Sequence, residues 1–240
     1  MSRPVTTGVR LLPILALVSV LGCARTEAPS DESARRPAAT APAGEASTIP
    51  RAADALPRIV FLGDSLTAGL GIGKDEAVPA LIQARLRQEG YRYEVINAGN
   101  SGDTSEGGLS RLDWSLSGDV DVLVLELGAN DGLRGIPTGR MRQNLETIVR
   151  SAKTRGITVL LTGMEAPPNY GPAYTDEFRD TFRQVAAREG VAFMPFFLEG
   201  VAGIARLNQP DGIHPTPEGA RIVADNVWRY LKPLLKKTQL

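Results

Sequence analysis

From residue 58 onward, apolar positions along the chain follow two alternating patterns. Short runs that are apolar almost throughout, such as "RIVFLG" (58–63) and "DVLVLELG" (121–128), are typical of strands buried on both faces of a sheet. Longer segments between them, such as "AVPALIQARLRQEG" (77–90), place apolar residues at helical spacing and end at a glycine. The pattern predicts strands at 58–63, 93–99, 121–128, 157–164 and 191–197, and helices at 77–90, 105–117, 138–156, 174–190 and 216–237.

The regular alternation of strands and helices predicts an α/β fold. Strands that are apolar on both faces form a parallel sheet with helices covering each side. Because crossovers between parallel strands are right-handed, such a chain winds into a doubly wound sandwich. Ligands bind at the carboxyl ends of the strands in sheets of this kind, so the loops after the strands are where chemistry is expected.

The first 23 residues have the pattern of an export signal. Arg3 and Arg10 precede the apolar run "LLPILALVSVLG" (11–22), which is short for a membrane span. The run ends at Cys23, the only cysteine, in the sequence "VLGC", which resembles the bacterial lipobox, where the cysteine receives a lipid. We therefore expect residues 1–23 to be a signal peptide ending at a lipidation site, and the mature protein to be periplasmic and anchored to the membrane. The alternative is an ordinary secretion signal with an incidental cysteine.

The segment that follows has a composition unlike that of a folded domain. Residues 24–56 are rich in Ala, Pro, Ser, Thr, Glu and Arg and contain almost no large apolar side chain. Such a segment cannot bury enough apolar surface to order itself, so we expect a flexible, disordered tether. Residues 57–240 are then one domain, long enough for a single hydrophobic core and too short for two ordinary ones.

The charge balance excludes some partners. The chain has 27 Lys and Arg residues against 27 Asp and Glu residues, so we expect no nucleic-acid partner. A phosphate-binding loop is also disfavoured. In "AGLGIGKD" (68–75), Ala68 replaces the first glycine of such a loop, and Asp75 stands where a serine or threonine should follow the lysine.

Polar loops that contain glycine or proline follow the predicted strands, at the carboxyl edge of the sheet where ligands are expected to bind. Ser65 follows the first strand, "AGNSGDTS" (98–105) the second, and "GANDGLRG" (128–135) the third. A further loop, "DGIHP" (211–215), comes after the fifth strand and before the last helix. Because the carboxyl ends of parallel strands share one edge, these loops are expected to converge.

One of these loops contains His214, the only histidine in the chain, three residues after Asp211. This spacing allows the carboxylate to hold one ring nitrogen, which leaves the other nitrogen free to accept a proton. A serine hydroxyl needs such a base, because it is a poor nucleophile while protonated. Ser65, His214 and Asp211 are therefore predicted to be the nucleophile, the base and the orienting acid.

A carbonyl attacked by a serine becomes an oxyanion, which needs preorganised hydrogen-bond donors. We predict three such donors in the loops. They are the backbone N–H of Ser65, the backbone N–H of Gly102, which can come close because glycine has no side chain, and the side-chain amide of Asn130.

Together, these loops resemble the conserved blocks of the GDSL, or SGNH, hydrolase family. "GDSL", the glycine of "SGDTS", "GAND" and "DGIHP" place the name-giving residues on Ser65, Gly102, Asn130 and His214, with Asp211 completing the triad. Finer stretches such as "GDTSEGGLSRL" and "LELGANDGLRG" resemble the bacterial thioesterase I, lysophospholipase and arylesterase branch. The resemblance implies a flavodoxin-like three-layer sandwich with a five-stranded parallel sheet, the SGNH hydrolase fold. It also implies a serine esterase that acts on carboxylic esters or thioesters without a metal or other cofactor.

The substrate is expected to be a small acyl ester or a lysolipid. Leu133, Ile136, Pro168 and Tyr170, in loops after the third and fourth strands, are expected to line its pocket. The alternatives are a carbohydrate O-acetylesterase and a non-catalytic lipoprotein that binds acyl chains or sugars. A classical α/β-hydrolase is disfavoured, because its serine follows several strands within G-x-S-x-G. Large aromatic side chains, including Trp114, are expected in the core or the pocket wall.

Overall fold

Five parallel strands form a single sheet at the centre of the fold. The computed structural model describes residues 56–236, so the predicted signal peptide, Cys23 and the tether up to residue 55 lie outside the described residues. The strands are β1 (Arg58–Gly63), β2 (Glu94–Gly99), β3 (Val120–Glu126), β4 (Thr158–Thr162) and β5 (Ala192–Met194), in the spatial order β2-β1-β3-β4-β5. All neighbouring strands are parallel, which confirms the predicted α/β fold and its flavodoxin-like sheet.

Helices connect these strands in the order that the apolar pattern predicts. Within the described residues they are α1 (Ser65–Ala68), α2 (Val78–Gln88), α3 (Ser105–Ser110), α4 (Leu112–Ser115), α5 (Ala129–Leu133), α6 (Thr138–Thr154), α7 (Pro172–Glu189) and α8 (Pro217–Leu231). Short 3₁₀ turns occur at Pro168–Tyr170, Ala205–Leu207 and Lys232–Leu234.

The long helices lie in two layers, one on each side of the sheet. The chain passes from β1 through α2 to β2 on one side, then returns to β3 on the other side of β1 and continues in that direction. Right-handed crossovers therefore place α2 on one face and α6 and α7 on the other. Helix α8 packs against α2, while α6 packs against α3 and α7. Because the direction of winding reverses between β1 and β3, the loops after these two strands separate from each other. Folds of this kind bind ligands in the crevice between such loops.

The hydrophobic core lies between the sheet and the helix layers. The side chains of Ile59, Phe61 and Leu123 are completely buried, as strands covered on both faces require. On the α7 side, Phe178 and Phe182 pack edge to face, with their ring centroids 5.3 Å apart. The central strands thus form a firm platform for the loops at their carboxyl ends.

The helix predicted at 105–117 is in fact two short helices, α3 and α4, which meet at Arg111. Gly107 and Gly108 weaken helix formation, since glycine has high conformational freedom when unfolded. Close packing nevertheless requires the second of them, because a Cβ on Gly108 would lie 2.1 Å from Leu127 Cδ1.

Two other expectations from the sequence differ from the structure. The strand predicted at 191–197 covers only Ala192–Met194, because Pro195 has no N–H to continue the ladder. Trp114 is 74% exposed, so the expectation that it lies in the core or the pocket wall is wrong. Among the described residues, no helix is both long and apolar enough to cross a bilayer.

Candidate active site

Ser65 lies directly after the first strand, as the first residue of α1. The side chain of Asp64 caps this short helix, its Oδ1 accepting a hydrogen bond from the Leu66 N–H at 3.0 Å. Asp64 is completely buried, whereas Ser65 is half-buried. The turn is therefore anchored from inside the fold and leaves the serine hydroxyl at the carboxyl edge of the sheet.

Ser65, His214 and Asp211 form a hydrogen-bonded chain across this edge. His214 Nε2 lies 2.8 Å from Ser65 Oγ, and His214 Nδ1 lies 2.7 Å from Asp211 Oδ2. Because a carboxylate can only accept, Nδ1 carries the proton of that bond, and Nε2 is left to accept the proton of the serine. The arrangement can therefore turn the hydroxyl of Ser65 into a nucleophile.

The loop that carries Asp211 and His214 is closed by its own backbone. The Gln209 N–H donates to the carbonyl of His214 at 2.7 Å, and Gly212 turns the chain with a φ of +72°. Asp211 Oδ1 also accepts from the N–H groups of Ile213 and His214. The hydrogen bond from the His214 side chain, followed by these two backbone bonds, lowers the pKa of Asp211 to about 2. Asp211 is thus an anion that orients the imidazole at all but very acidic pH.

Asn130 links the loops after β1, β2 and β3. Its Nδ2 donates to Asp64 Oδ2 at 3.1 Å and to the carbonyl of Asp103 at 2.9 Å. Gly102, one residue before Asp103, has a φ of +87°, in the left-handed region that favours glycine. Within residues 56–236, the N–H groups of Ser65 and Gly102 have no hydrogen-bond acceptor in the protein. These two donors are thus available to a bound substrate.

The Gly102 loop is held in place by an ion pair. Arg111 Nε donates to Asp103 Oδ2 at 2.6 Å, and its Nη2 donates to the carbonyl of Gly63 at 2.9 Å. Arg134 Nη2 donates to the carbonyl of Gly102 from the other side. These contacts connect the glycine loop to the end of β1, which is the strand that presents Ser65.

A second acid, Glu126, contacts the turn that carries Ser65. The sequence had not indicated it. Its Oε2 accepts from Thr67 Oγ1 at 2.8 Å and from the Asp64 N–H at 3.4 Å. Burial, and then the nearby Asp64 carboxylate, raise the pKa of Glu126 well above its ordinary value. Burial also raises the pKa of Asp64 to about 6. A charged residue directly after four apolar residues, at the carboxyl end of a strand, was the signal that could have identified Glu126.

A third buried acid, Asp131, joins α5 to α3. Its two carboxylate oxygens accept from the N–H and the hydroxyl of Ser105, at 2.7 and 2.6 Å. Asn144 on α6 also donates to this hydroxyl. Burial raises the pKa of Asp131. These bonds fix the start of α5, the helix to which Asn130 belongs.

An apolar cavity of about 440 Å³ lies beside the triad. It is bordered by the neighbours of three site residues, namely Leu66, Ala129 and Ile213. The remaining lining residues come mainly from the loops after β4 and β5: Leu133, Met164, Glu165, Ala166, Pro167, Pro168, Phe196, Leu198, Ala202, Gly203 and Gly212. The volume suits a ligand of modest size with an apolar part.

Two of the four predicted pocket residues line this cavity, Leu133 and Pro168. Ile136 and Tyr170 are not among its lining residues. Tyr170 instead packs over Gly135, and its hydroxyl donates to the carbonyl of Leu133. Tyr170 therefore supports the loop that forms one wall. Glu165 places a carboxylate in this otherwise apolar lining, which the sequence had not indicated.

Within the part of the chain that the structure describes, no group of three or more His, Cys, Asp or Glu side chains is arranged to hold a metal ion. Two larger grooves, of about 670 and 610 Å³, run along the edge strand β2, and none of the predicted site residues lines them. The triad and its apolar cavity are therefore the candidate active site.

Comparison with known proteins places this site in a family. The model of the GDSL-like Lipase/Acylhydrolase family matches residues 61–222, which include the nucleophile turn and the loop of His214. The chain is 47% identical over 178 residues to "Esterase TesA" of Pseudomonas aeruginosa, an alignment that covers 74% of this chain and 89% of that protein. It is 36% identical over 178 residues to "Thioesterase 1/protease 1/lysophospholipase L1" of Escherichia coli strain K12, covering 74% and 84%.

The fold agrees with this assignment. The crystal structure of TesA superimposes with a TM-score of 0.72 at 46% sequence identity, covering 74% of this chain and 99% of that one. The sequence, the fold and the order of the site loops thus all agree, and the chain belongs to the GDSL-like lipase/acylhydrolase family.

Proposed function

We propose that this protein is a serine esterase that hydrolyses carboxylic esters or thioesters through an acyl-enzyme. The observation that carries the proposal is the hydrogen-bonded chain from Ser65 through His214 to Asp211, beside an apolar cavity of about 440 Å³. Nucleophile, base and orienting acid are the three groups that acyl transfer to a serine requires.

In the first step, His214 Nε2 takes the proton of Ser65 as Oγ attacks the ester carbonyl. Asp211 stabilises the imidazolium that forms, since its carboxylate accepts a hydrogen bond from Nδ1–H throughout. His214 then gives its proton to the departing alcohol or thiol, and the Ser65 acyl ester is left. Water, deprotonated by the same nitrogen, attacks this ester, and the acid leaves as Ser65 recovers its proton.

The oxyanion of each tetrahedral intermediate is held by the N–H groups of Ser65 and Gly102 and by the amide of Asn130. The two backbone donors have no acceptor within the described residues, which supports this role. Both hydrogens of Asn130 Nδ2 are already donated, to Asp64 and to the Asp103 carbonyl. The oxyanion therefore replaces one of these acceptors or shares a hydrogen with it.

The cavity supports an acyl substrate rather than a sugar. Its lining is mostly apolar, with Leu133, Met164 and Phe196 among its residues, and an acyl chain gains from burial against such side chains. A carbohydrate acetyl ester would require several polar partners near the serine. The names of the relatives, esterase and thioesterase 1/lysophospholipase, support the same substrate class. We therefore propose small acyl esters, acyl thioesters or lysolipids as substrates.

The test is the hydrolysis of p-nitrophenyl esters from acetyl to palmitoyl by the purified protein, with Ser65→Ala alongside. We expect turnover by the parent, loss of turnover in the variant, and an optimum at the chain length that the cavity holds. Widening one wall with Phe196→Ala should move the optimum to longer chains. Turnover of acetylated sugars with none of the p-nitrophenyl esters would favour the O-acetylesterase. Absence of turnover on both, in a folded protein, would favour a binding lipoprotein.

We further propose that residues 1–23 direct export to the periplasm and that Cys23 carries a lipid anchor. The charged start, the apolar run and the "VLGC" sequence support this proposal. Labelling of cells with tritiated palmitate should mark the protein, and Cys23→Ala should abolish the label. An unlabelled wild-type protein in the periplasmic fraction would instead indicate an ordinary cleaved signal.

A further inference from the structure

Glu126 is a buried acid that the proposed reaction steps do not use. It is the last residue of β3, it is 1% exposed, and it lies opposite Gly63 in the parallel register of β1 and β3. Asn130 follows four residues later in the same connection. Glu126 thus stands between the end of the strand that leads to the nucleophile and the loop that carries Asn130.

The contacts of Glu126 are directed at the residues on both sides of Ser65. Its Oε2 accepts from the backbone N–H of Asp64, the residue before the serine, and from the hydroxyl of Thr67, two residues after it. Gly63 leaves room for these contacts. A Cβ at that position would lie 2.1 Å from Thr67 Oγ1 and 2.7 Å from Glu126 Oε2. The glycine before Asp64 is therefore required by this hydrogen-bonded pair.

The surroundings favour Glu126 as a neutral acid. Within the described residues its Oε1 has no hydrogen-bond partner, and a buried anionic oxygen without a donor would be costly. The raised pKa of Glu126, caused by burial and then by Asp64, agrees with this state. Asp64 is the better placed of the two to keep a charge, since it accepts from the Leu66 N–H and from Asn130 Nδ2. Of the two neighbouring carboxyl groups, Glu126 is therefore the one whose surroundings favour the neutral form.

We propose that Glu126 is a positioning residue for the nucleophile: through Thr67 and the Asp64 N–H it fixes the turn of Ser65 to the strand that leads to Asn130. The inference rests on the proposed serine mechanism. Ser65 must keep its distance both to His214 and to the oxyanion donors, and small displacements of such groups lower rates strongly. Among the described residues, the hydroxyl of Ser65 bonds only to His214, so its distance to the oxyanion donors depends on the turn that Glu126 contacts.

A positioning role and a merely structural role predict different kinetics. If Glu126 only filled the core, its removal would lower stability but leave the turnover of each folded molecule unchanged. If it positions Ser65, its removal lowers kcat while KM changes little, because the cavity that binds the acyl group is not touched. A neutral side chain of the same shape should largely restore kcat, because Glu126 acts as an uncharged acceptor.

The experiment compares Glu126→Ala, Glu126→Gln and the matched control Val124→Ala in the full-length protein. Val124 is also completely buried and lies two residues earlier on the same strand. Enzyme concentration is set by titration of Ser65 with a fluorophosphonate, and the rate of that phosphonylation is recorded as a second measure of serine reactivity. We expect kcat and the phosphonylation rate to fall at least tenfold in Glu126→Ala. Glu126→Gln should stay within about threefold of wild type, and Val124→Ala should lose stability without loss of kcat.

Each other result overturns the inference. Wild-type kcat in folded Glu126→Ala contradicts positioning, and an equal loss in Glu126→Gln contradicts the neutral acceptor. If Glu126→Ala does not fold, Thr67→Val and Thr67→Ser carry the same test. Only the valine variant lacks the hydroxyl that Glu126 accepts from, and equal kcat in the two overturns the proposal. Retained turnover in Ser65→Ala contradicts the serine mechanism itself. An inactive Ser65→Ala beside a fully active Glu126→Ala contradicts this inference alone.

Discussion

His214 Nε2 lies 2.8 Å from Ser65 Oγ, although the two residues are 149 positions apart in the chain. Ser65 follows the first strand and His214 precedes the last helix, and the parallel sheet brings both to one edge. The hydrogen bond between them joins the start of the domain to its end. The proposed chemistry depends on it, because a serine hydroxyl attacks an ester only when a base can remove its proton.

The first prediction concerns the two residues of this bond. Ser65→Ala and His214→Ala should each lower kcat by roughly 10³-fold or more, because either change removes the activated nucleophile. Steady-state hydrolysis of a p-nitrophenyl ester measures the loss, and circular dichroism checks the fold. Ser110→Ala, at an exposed serine on α3, is the matched control and should behave as wild type.

The second prediction concerns Asp211 and pH. Asp211→Asn should lower kcat/KM by roughly 10²–10⁴-fold, since an amide can donate to Nδ1 and hold the wrong tautomer. The pKa of Asp211 is lowered to about 2, so its carboxylate stays ionised as the pH falls to about 3. A loss of wild-type activity at acid pH should therefore not come from Asp211, and a base that has taken up a proton can no longer accept one from the serine.

A pH profile of kcat/KM for wild type, Asp211→Asn and Asp225→Asn tests this assignment. Asp225 is an exposed carboxylate that pairs with Arg85 on the surface of α8, so its variant controls for charge. An unchanged rate in Asp211→Asn, or a wild-type rate that stays flat at acid pH, would contradict the proposed roles.

The third prediction separates backbone strain from function at Gly102. An alanine here has space, since the nearest atom to its Cβ would be Arg134 Nη2 at 3.9 Å, but the φ of +87° is unfavourable. We expect a loss of about 1–2 kcal/mol in the free energy of unfolding, and a fall in kcat of roughly tenfold or more as the N–H is reoriented. Gly90→Ala has a similar φ, +78°, and no atom within 4 Å. It should lose the same stability and keep its activity.

The fourth prediction concerns Asn130. Asn130→Ala should lower kcat by roughly 10²–10³-fold, because it removes a proposed oxyanion donor. It should also cost about 1–3 kcal/mol of stability, since Asp64 Oδ2 and the Asp103 carbonyl lose their donor. Asn226→Ala removes a buried amide outside the site, one that donates to the carbonyl of Glu199, and serves as control. Equal kcat in the two variants would exclude Asn130 from oxyanion binding.

The fifth prediction concerns Glu126 and stability. Its pKa in the folded protein is raised above the ordinary 4.5, so the folded state keeps a proton that the unfolded chain releases. The stability from this proton is present below pH 4.5 and is lost as the pH rises toward the folded pKa. Glu126→Gln has no such proton, so its stability relative to wild type should rise with pH above 4.5, by at most about 1.4 kcal/mol per unit.

Urea denaturation of both proteins between pH 4 and 8 measures this difference. A difference that stays flat above pH 4.5 would mean that Glu126 is already ionised in the folded state. Glu165→Gln, at an exposed carboxylate in the cavity lining, should show no comparable trend.

Much of this protein could be predicted from its sequence, because the relevant signals are local. Apolar runs and helical spacing determined the five strands and the long helices, since burial on one or both faces dictates those patterns. The glycine-marked loops after the strands led to the prediction of Ser65, Gly102, Asn130, Asp211 and His214 as site residues, because a parallel fold brings all such loops to one edge.

Only the tertiary structure decided which side chains meet. Tyr170 supports a cavity wall instead of lining it, and Trp114 is exposed, because neither outcome depends on a residue's own neighbours in the chain. Glu126 lies opposite Gly63 because of the register in which β1 pairs with β3, and no pattern in the sequence predicts that register. Its raised pKa, like that of Asp64, follows from burial, and burial is a property of the packed molecule rather than of any segment of its sequence.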